Sequence, residues 1–343
     1  MIRPGNSVLI LMSACLTVCC GCQDTAATAN LFEEKGVTIA RDMSGGVKTI
    51  RFDDFEPSDA DLKQLSAVET VQEVFGNGTR ITDIGLEALQ NAKRLSVISL
   101  TGSAVSAKGI MSLARLPKLT ELNLSGARTV DDAAMTALKS SPGLVSLGLD
   151  NTSITDAGLA EIVSIRSLKS LSVNGTSITA QGLAMLVKSM PDLEVLHLSD
   201  TAVSDAGVQS LVECSHLTHL ELRNCDLTDA AIESLASMQS LRVLDLAGNG
   251  DLTDAAILKL GTLPNLTSLD VSGTELNGIR FNAAGFLQLA SLNAAGTKVT
   301  DAAVPDFMLP TLYSLGLKNT ATTESGIRKI FAENHQTAVA FGE

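Results

Sequence analysis

Tryptophan is absent from this 343-residue chain, tyrosine occurs once, and aromatics make up only 3% although 45% of the residues are hydrophobic. Cores of ordinary globular shape lean on large rings, so their scarcity points to a narrow interior filled with aliphatic side chains. Cysteine is nearly missing from the body: four of the six fall between Cys15 and Cys22, leaving Cys214 and Cys225. Two thiols in so long a chain form no disulfide scaffold, and both sit at positions that the sequence pattern buries, so they read as reduced core thiols. Catalytic signatures are also missing. The body has no serine nucleophile motif, no C-x-x-C, no H-E-x-x-H and no glycine-rich phosphate loop. No enzyme, no metal and no cofactor are expected. Positive charge is in deficit, with 25 Lys and Arg against 38 Asp and Glu. So negative a surface repels phosphate backbones and argues against nucleic acid as a partner.

A long apolar run is lacking too. Val8 to Cys20 is too short to cross a bilayer as a helix, but with Arg3 ahead of it suits the apolar stretch of an export leader. It ends in C-C-G-C-Q-D, which resembles the lipobox of bacterial lipoproteins, where a small residue precedes a cysteine that becomes the acylated N-terminus. The resemblance implies lipidation at Cys22, after Gly21, with Cys15 as the alternative site and an ordinary secretory signal as the alternative leader. Residues 1–21 are then a signal peptide, 22–35 a flexible tether and 36–46 an N-terminal β cap. The expected location is exported and bacterial, membrane-anchored, periplasmic or at the cell surface.

What the chain has in abundance is itself. Residues 144–167, LVSLGLDNTSITDAGLAEIVSIRS, recur with variations twelve times, starting at Val47, Val71, Leu95 and onward to Leu312, spaced 23 to 25 residues apart. A fixed period of that size marks a solenoid, whose core grows lengthwise, so the length does not imply two domains. Two columns confirm the register. Before the turn threonine stands Gly, Asn or Asp in every repeat, from Asp54 through Asn151 and Gly175 to Asn319, which calls for a left-handed backbone there. Four or five residues further on stand Ser, Thr, Asp or Asn, as in Ser58, Thr155 and Thr228, each suited to capping a helix. The aspartates that often follow, such as Asp156, suit the helix dipole. A third column of Thr152, Thr176, Thr201 and their counterparts, with Cys225 and Asn249 standing in, reads as a polar ladder that satisfies turn backbone.

Each repeat is thus strand, left-handed turn, capped helix and return loop. The fold class is α/β, with the parallel strands forming one inner, concave sheet. The motif L-x-x-L-x-L-x-x-[TCN]-x-[IL]-T-D-A resembles the leucine-rich repeat of the cysteine-containing class, shared by F-box subunits and bacterial proteins; C-S-H-L-T-H-L-E-L-R-N-C-D-L-T-D-A, residues 214–230, carries it most fully. The resemblance covers 47 to about 333 and implies a right-handed horseshoe that binds protein, with the repeat domain taken as 47–334 and a tail over 335–343. An F-box role is disfavoured by the export leader and by the lack of an F-box. The leader placed before such an array looks most like a bacterial leucine-rich-repeat lipoprotein.

On the concave face one patch stands out from small polar neighbours. His197, Glu221, Asp245 and Asp270 fall on consecutive strands, with His219 and Arg223 beside them. Stacked carboxylates repel unless something positive is near, so on a functional reading the patch is a contact site for a basic segment of a protein partner. The alternative is a solvated acidic stripe relieved by Arg223 and His219. At the level of the whole protein, the alternative to a protein-binding scaffold is an adhesive envelope protein that binds glycan or itself. Repeats ten and eleven depart from the pattern, and Phe281, Phe286, Phe307 and Met308 are expected to refill a shortened turn.

Overall fold

The computed structural model describes residues 28–77, 80–139, 141–333 and 337–342, so Cys15, Cys22 and the rest of the leader lie outside the described residues. The strands form one 14-stranded sheet in which each is followed by its neighbour in sequence. Thr38–Arg41 pairs antiparallel with Val47–Phe52, and every later pairing is parallel. The register stacks like on like: Leu171, Leu196, Leu220, Leu244 and Leu269 face one another across successive strands. Each of these is no more than 1% exposed. None could be buried within its own repeat, because the strand beneath and the strand above supply the cover. Helices such as Asp156–Ile162 close the far side with Leu159 and Ile162 turned inward.

The left-handed turns are where the sequence places them. Asn151, Asp200, Asn224 and Asn319 have φ between 50° and 58°, and Gly102, Gly126, Gly175, Gly248, Gly273 and Gly296 are also positive. Gly78 lies outside the described residues, and Asp54 is the exception, its φ not being positive. The threonine ladder is equally regular. The Oγ1 of Thr152, Thr176 and Thr201 donates to the carbonyl three residues back, at 2.6, 2.6 and 2.5 Å. Cys225 substitutes by donating Sγ to the Leu198 carbonyl. Asn249 does more, accepting from the Cys225 and Leu227 amides while donating to the Leu222 and Leu246 carbonyls. Both thiols are free and buried, and burial pushes the Cys214 thiol up to about 11.

The aspartates after the caps do something the helix dipole does not explain. Asp132 reaches across to the next repeat, where its carboxylate accepts from the Thr155 amide at 2.8 Å and the Thr155 hydroxyl at 2.7 Å. Asp59, Asp83, Asp156, Asp205, Asp229 and Asp301 do the same to the cap one repeat on. Where alanine stands instead, the next cap has no carboxylate reaching to it. After Ala107, Asp131 caps its helix with its own carboxylate. After Ala180, Ser204 is no cap at all but sits at φ 54°, inside its helix. Asn277 and Thr300 likewise head no α-helix, and Thr253 caps without a side-chain bond, so the capping column holds only in part.

The ends differ from the repeats. Residues 28–34 are helical rather than a tether, because Ala29 and Phe32 are fully buried over the first rung, Phe32 edge-on to Phe52 at 5.7 Å. At the other end Ala338–Gly342 adds a parallel strand to Ser314–Lys318. In repeats ten and eleven the helices shrink to short 3-10 turns, and Phe281 stacks on Phe286 at 4.4 Å and lies tilted against Phe307 at 5.1 Å. Met308 is half-buried beside them.

Burial opposes ionisation of Asp83, but the Ser106 hydroxyl and amide, the Gly109 amide and Lys108 outweigh it and hold the carboxyl below its ordinary value. A carboxyl depressed in the folded state contributes stability above its unfolded value near ~3.9, which is lost as pH falls through the folded value. The ladder also explains the glycine of T-D-A-G. A Cβ on Gly158 would fall on Asp132 Oδ1, and without that carboxylate the nearest heavy atom would be the Asp132 Cα at 3.3 Å. Asp132→Ala is therefore expected to cost about 1–3 kcal/mol in urea unfolding. Gly158→Ala should destabilise the parent chain yet cost about 1–2 kcal/mol less in the Asp132→Ala background. Additive costs would remove the ladder as their cause.

Candidate functional site

The register brings four of the six candidate side chains into one row. His197 pairs with Glu221, Glu221 with Asp245, and Asp245 with Asp270. Arg223, two residues beyond Glu221, leans over the row, its Nη2 3.5 Å from Asp245 Oδ2 and 3.9 Å from Asp270 Oδ2. His197 Nε2 lies 3.6 Å from Glu221 Oε1. His219 does not join them. It occupies the preceding row between Val195 and Val243, and its Nδ1 hydrogen-bonds the Thr218 hydroxyl at 2.8 Å.

The carboxylates differ in what else they do. Asp245 Oδ1 accepts from the Ala247 amide at 2.8 Å, and Asp270 Oδ1 from the Ser272 amide at 2.9 Å and hydroxyl at 2.6 Å. Asp270 Oδ2 also accepts from Asn293 Nδ2. Both thus fasten the backbone where strand becomes turn, as Asn123 and Asn293 do in their own repeats. Their presence has a structural cause before any partner is considered. Glu221 fastens nothing; among the described residues it meets only His197. Burial raises the Asp245 carboxyl above its ordinary value, the Ala247 amide opposes that, Asp270 adds to it and Arg223 opposes it.

The rest of the face is more open. Strands to the N-terminal side enclose a hollow of about 360 Å³ floored by Ser99, Asn123, Gly148 and Ser172, with Phe75 and His197 at its ends. Arg51 lies over the Phe75 ring, 4.2 Å from its centroid. This pair was not singled out from sequence. The signal was present, since Phe75 is the one aromatic residue in its row and Arg51 the residue before it in that row. No group of three or more metal-ligating side chains occurs among the described residues. No described helix is long and apolar enough to cross a membrane.

Stacked strand–turn–helix units with an inner parallel sheet define a leucine-rich-repeat solenoid, a class that generally serves protein–protein contact through an extended concave surface. The chain belongs to the leucine-rich repeat family: the family profile, a leucine-rich repeat region, matches residues 96–332. Among solved structures it is similar to an internalin (inlF) of Listeria monocytogenes, at 25% identity and a TM-score of 0.61, over 82% of this chain and 76% of that one. It is also similar in fold to a leucine-rich-repeat protein of Leptospira interrogans, at 18% identity and a TM-score of 0.55, over 81% and 74% of the two chains. No curated protein sequence matches.

A carboxyl raised in the folded state favours folding below its unfolded value and disfavours it as pH rises through the folded one. Asp245→Asn keeps an oxygen for the Ala247 amide and removes the charge. Its melting temperature is expected to exceed the parent's at pH 7, with the gain vanishing near pH 3. A loss at pH 7 would show that Arg223 outweighs burial there.

Proposed function

We propose that the chain is an exported, lipid-anchored leucine-rich-repeat scaffold, of the cysteine-containing bacterial lipoprotein type, that binds a basic segment of a protein partner on its concave face. It performs no chemistry of its own. The observation that carries this reading is the row Glu221, Asp245 and Asp270, three carboxylates in register on adjacent strands with a single arginine between the last two. A lysine or arginine from a partner, entering beside Glu221, meets a carboxylate with no backbone bond to give up. His197 and His219 flank the entry on either side, His197 within reach of Glu221 and His219 one row away.

Affinity in such an arrangement comes from pre-organisation. The strands do not move on binding, so the partner meets contacts already in place and little ordering is needed on this side. Charge sets approach and selectivity more than strength, so the association rate should fall steeply with salt. The C-C-G-C-Q-D leader supports the anchor, with Cys22 as the acylated residue.

Crosslinking in the native cell followed by affinity capture supplies the partner. Glu221→Gln/Asp245→Asn/Asp270→Asn, which keeps the turn-fastening oxygens, is expected to weaken its capture at least tenfold. Unchanged capture, or retention on envelope polysaccharide with no saturable protein, would overturn the reading. Intact mass of the mature N-terminus checks the anchor separately: a diacylglyceryl-bearing chain starting at Cys22 is expected, and cleavage elsewhere without lipid would contradict it.

A further inference from the structure

The repeat sorts charge across its width. Every turn from strand to helix lies along one flank of the array, and every loop from helix back to strand along the other. The turn flank is acidic, as Asp53, Asp131, Asp150, Asp200 and Asp251 show. The return flank is mixed, carrying Glu69, Asp192, Glu194 and Glu213, but one stretch of it is the reverse. Four consecutive return segments, 90–96, 114–120, 139–145 and 163–169, hold seven Lys or Arg and no carboxylate, in a chain whose net charge is −13.

Part of this charge is neutralised, since Lys139 pairs with Glu161 and Lys169 lies 3.6 Å from Glu194. Lys93, Arg94, Arg115 and Lys118 are exposed, and none forms an ion pair with a described carboxylate within 4 Å, although Asp42 lies near enough to Arg94 to feel its charge. Further along the same flank the return segments 261–267, 285–291 and 308–314 carry no charge at all. There Leu287 and Tyr313 stand 74% and 60% exposed, unusual for such side chains in a chain so poor in aromatics.

We infer that this return flank docks flat on an anionic lipid surface, with Lys93, Arg94, Arg115 and Lys118 over headgroup phosphates and Leu287 and Tyr313 at the interface. The charge order fits: cations against anionic headgroups, with an amphipathic ring and an aliphatic side chain where no charge interferes. The net negative charge does not prevent it. Leu95 and the turn glycine Gly102 are seven residues apart, ~23 Å of extended chain, while the screening length at physiological salt is ~8 Å. The acidic flank is therefore screened from a surface touching the basic one. A soluble polyanion would use the cations equally but leave Leu287 and Tyr313 without a role, which favours the bilayer. The inference concerns a different surface from the concave face and stands whether or not Cys22 is acylated.

Lysine acylation footprinting on the full chain reconstituted with vesicles tests it. On phosphatidylglycerol–phosphatidylethanolamine vesicles, labelling of Lys93 and Lys118 is expected to be at least fivefold slower than on phosphatidylcholine, and restored by high salt. Lys63 on the outer helices and Lys108 at the turn flank serve as internal controls and should not change. Arg94→Glu/Arg115→Glu, both on the surface, should abolish the protection while leaving the melting temperature unchanged, and Leu287→Ser/Tyr313→Ser should halve it or more. Equal labelling on both vesicle types, or uniform slowing of all lysines, would overturn the proposal. So would protection by soluble dextran sulfate without protection by vesicles, which would make the partner a polyanion instead.

Discussion

The structure depends on one constraint: no repeat can bury its own leucines, so each must be held in register by the next. Apolar stacking alone specifies this weakly, because one leucine shelf slides over another at little cost. The carboxylates of Asp59, Asp83, Asp132, Asp156, Asp205 and Asp229 supply the direction. Each accepts two bonds, from the amide and the hydroxyl of the following cap, and so fixes the spacing between rungs as well as their contact. Oxygen-to-nitrogen geometry is far less forgiving than dispersion, and charged acceptors roughly double the strength of such bonds. The array is therefore zipped along its turn side by polar bonds and along its interior by leucine.

That division of labour shapes the surface. Because the aspartates of the ladder all lie on the turn side, the acidity of the chain is concentrated there and on the adjacent concave rows, and the return side is left free to carry the lysines and arginines. Net charge, a single number, conceals this. The concave row repeats the theme on a smaller scale: Asp245 and Asp270 are first of all turn-fastening residues, and only Glu221 is free of backbone duty. A face whose charge is partly paid for by the fold can keep it under mutation, which suits a surface that must meet a partner without rearranging.

Much of this was legible in the sequence. The period, the strand leucines and the left-handed column from Gly102 to Asn319 follow from spacing and from the few residues that tolerate positive φ. The row of His197, Glu221, Asp245 and Asp270 follows from the same register. What could not be read was the partner of each polar group. Asp132 and Asp156 look like first-turn helix residues to any local rule, and only stacking reveals that their bonds run to Thr155 and Thr179. Ser204 looks like its fellow caps, yet it sits inside its helix at positive φ. His219 falls in the preceding row, between Val195 and Val243, as its place two residues before Glu221 implies, but its bond to the Thr218 hydroxyl could not be read from that register. Ala29 and Phe32 look like part of a flexible tether until the open end of the core is seen to need a lid.

Native-state hydrogen exchange on the full chain tests the central constraint most directly. If the carboxylate ladder ties rungs together, the amides of Thr82, Thr155, Thr179 and Thr228, which donate across repeats, should exchange only through opening as costly as that of the core strands. The turns around Thr300, which lack that bond to the preceding repeat, should open at markedly lower cost. Equal protection at both, or faster exchange at the laddered threonines, would contradict the account.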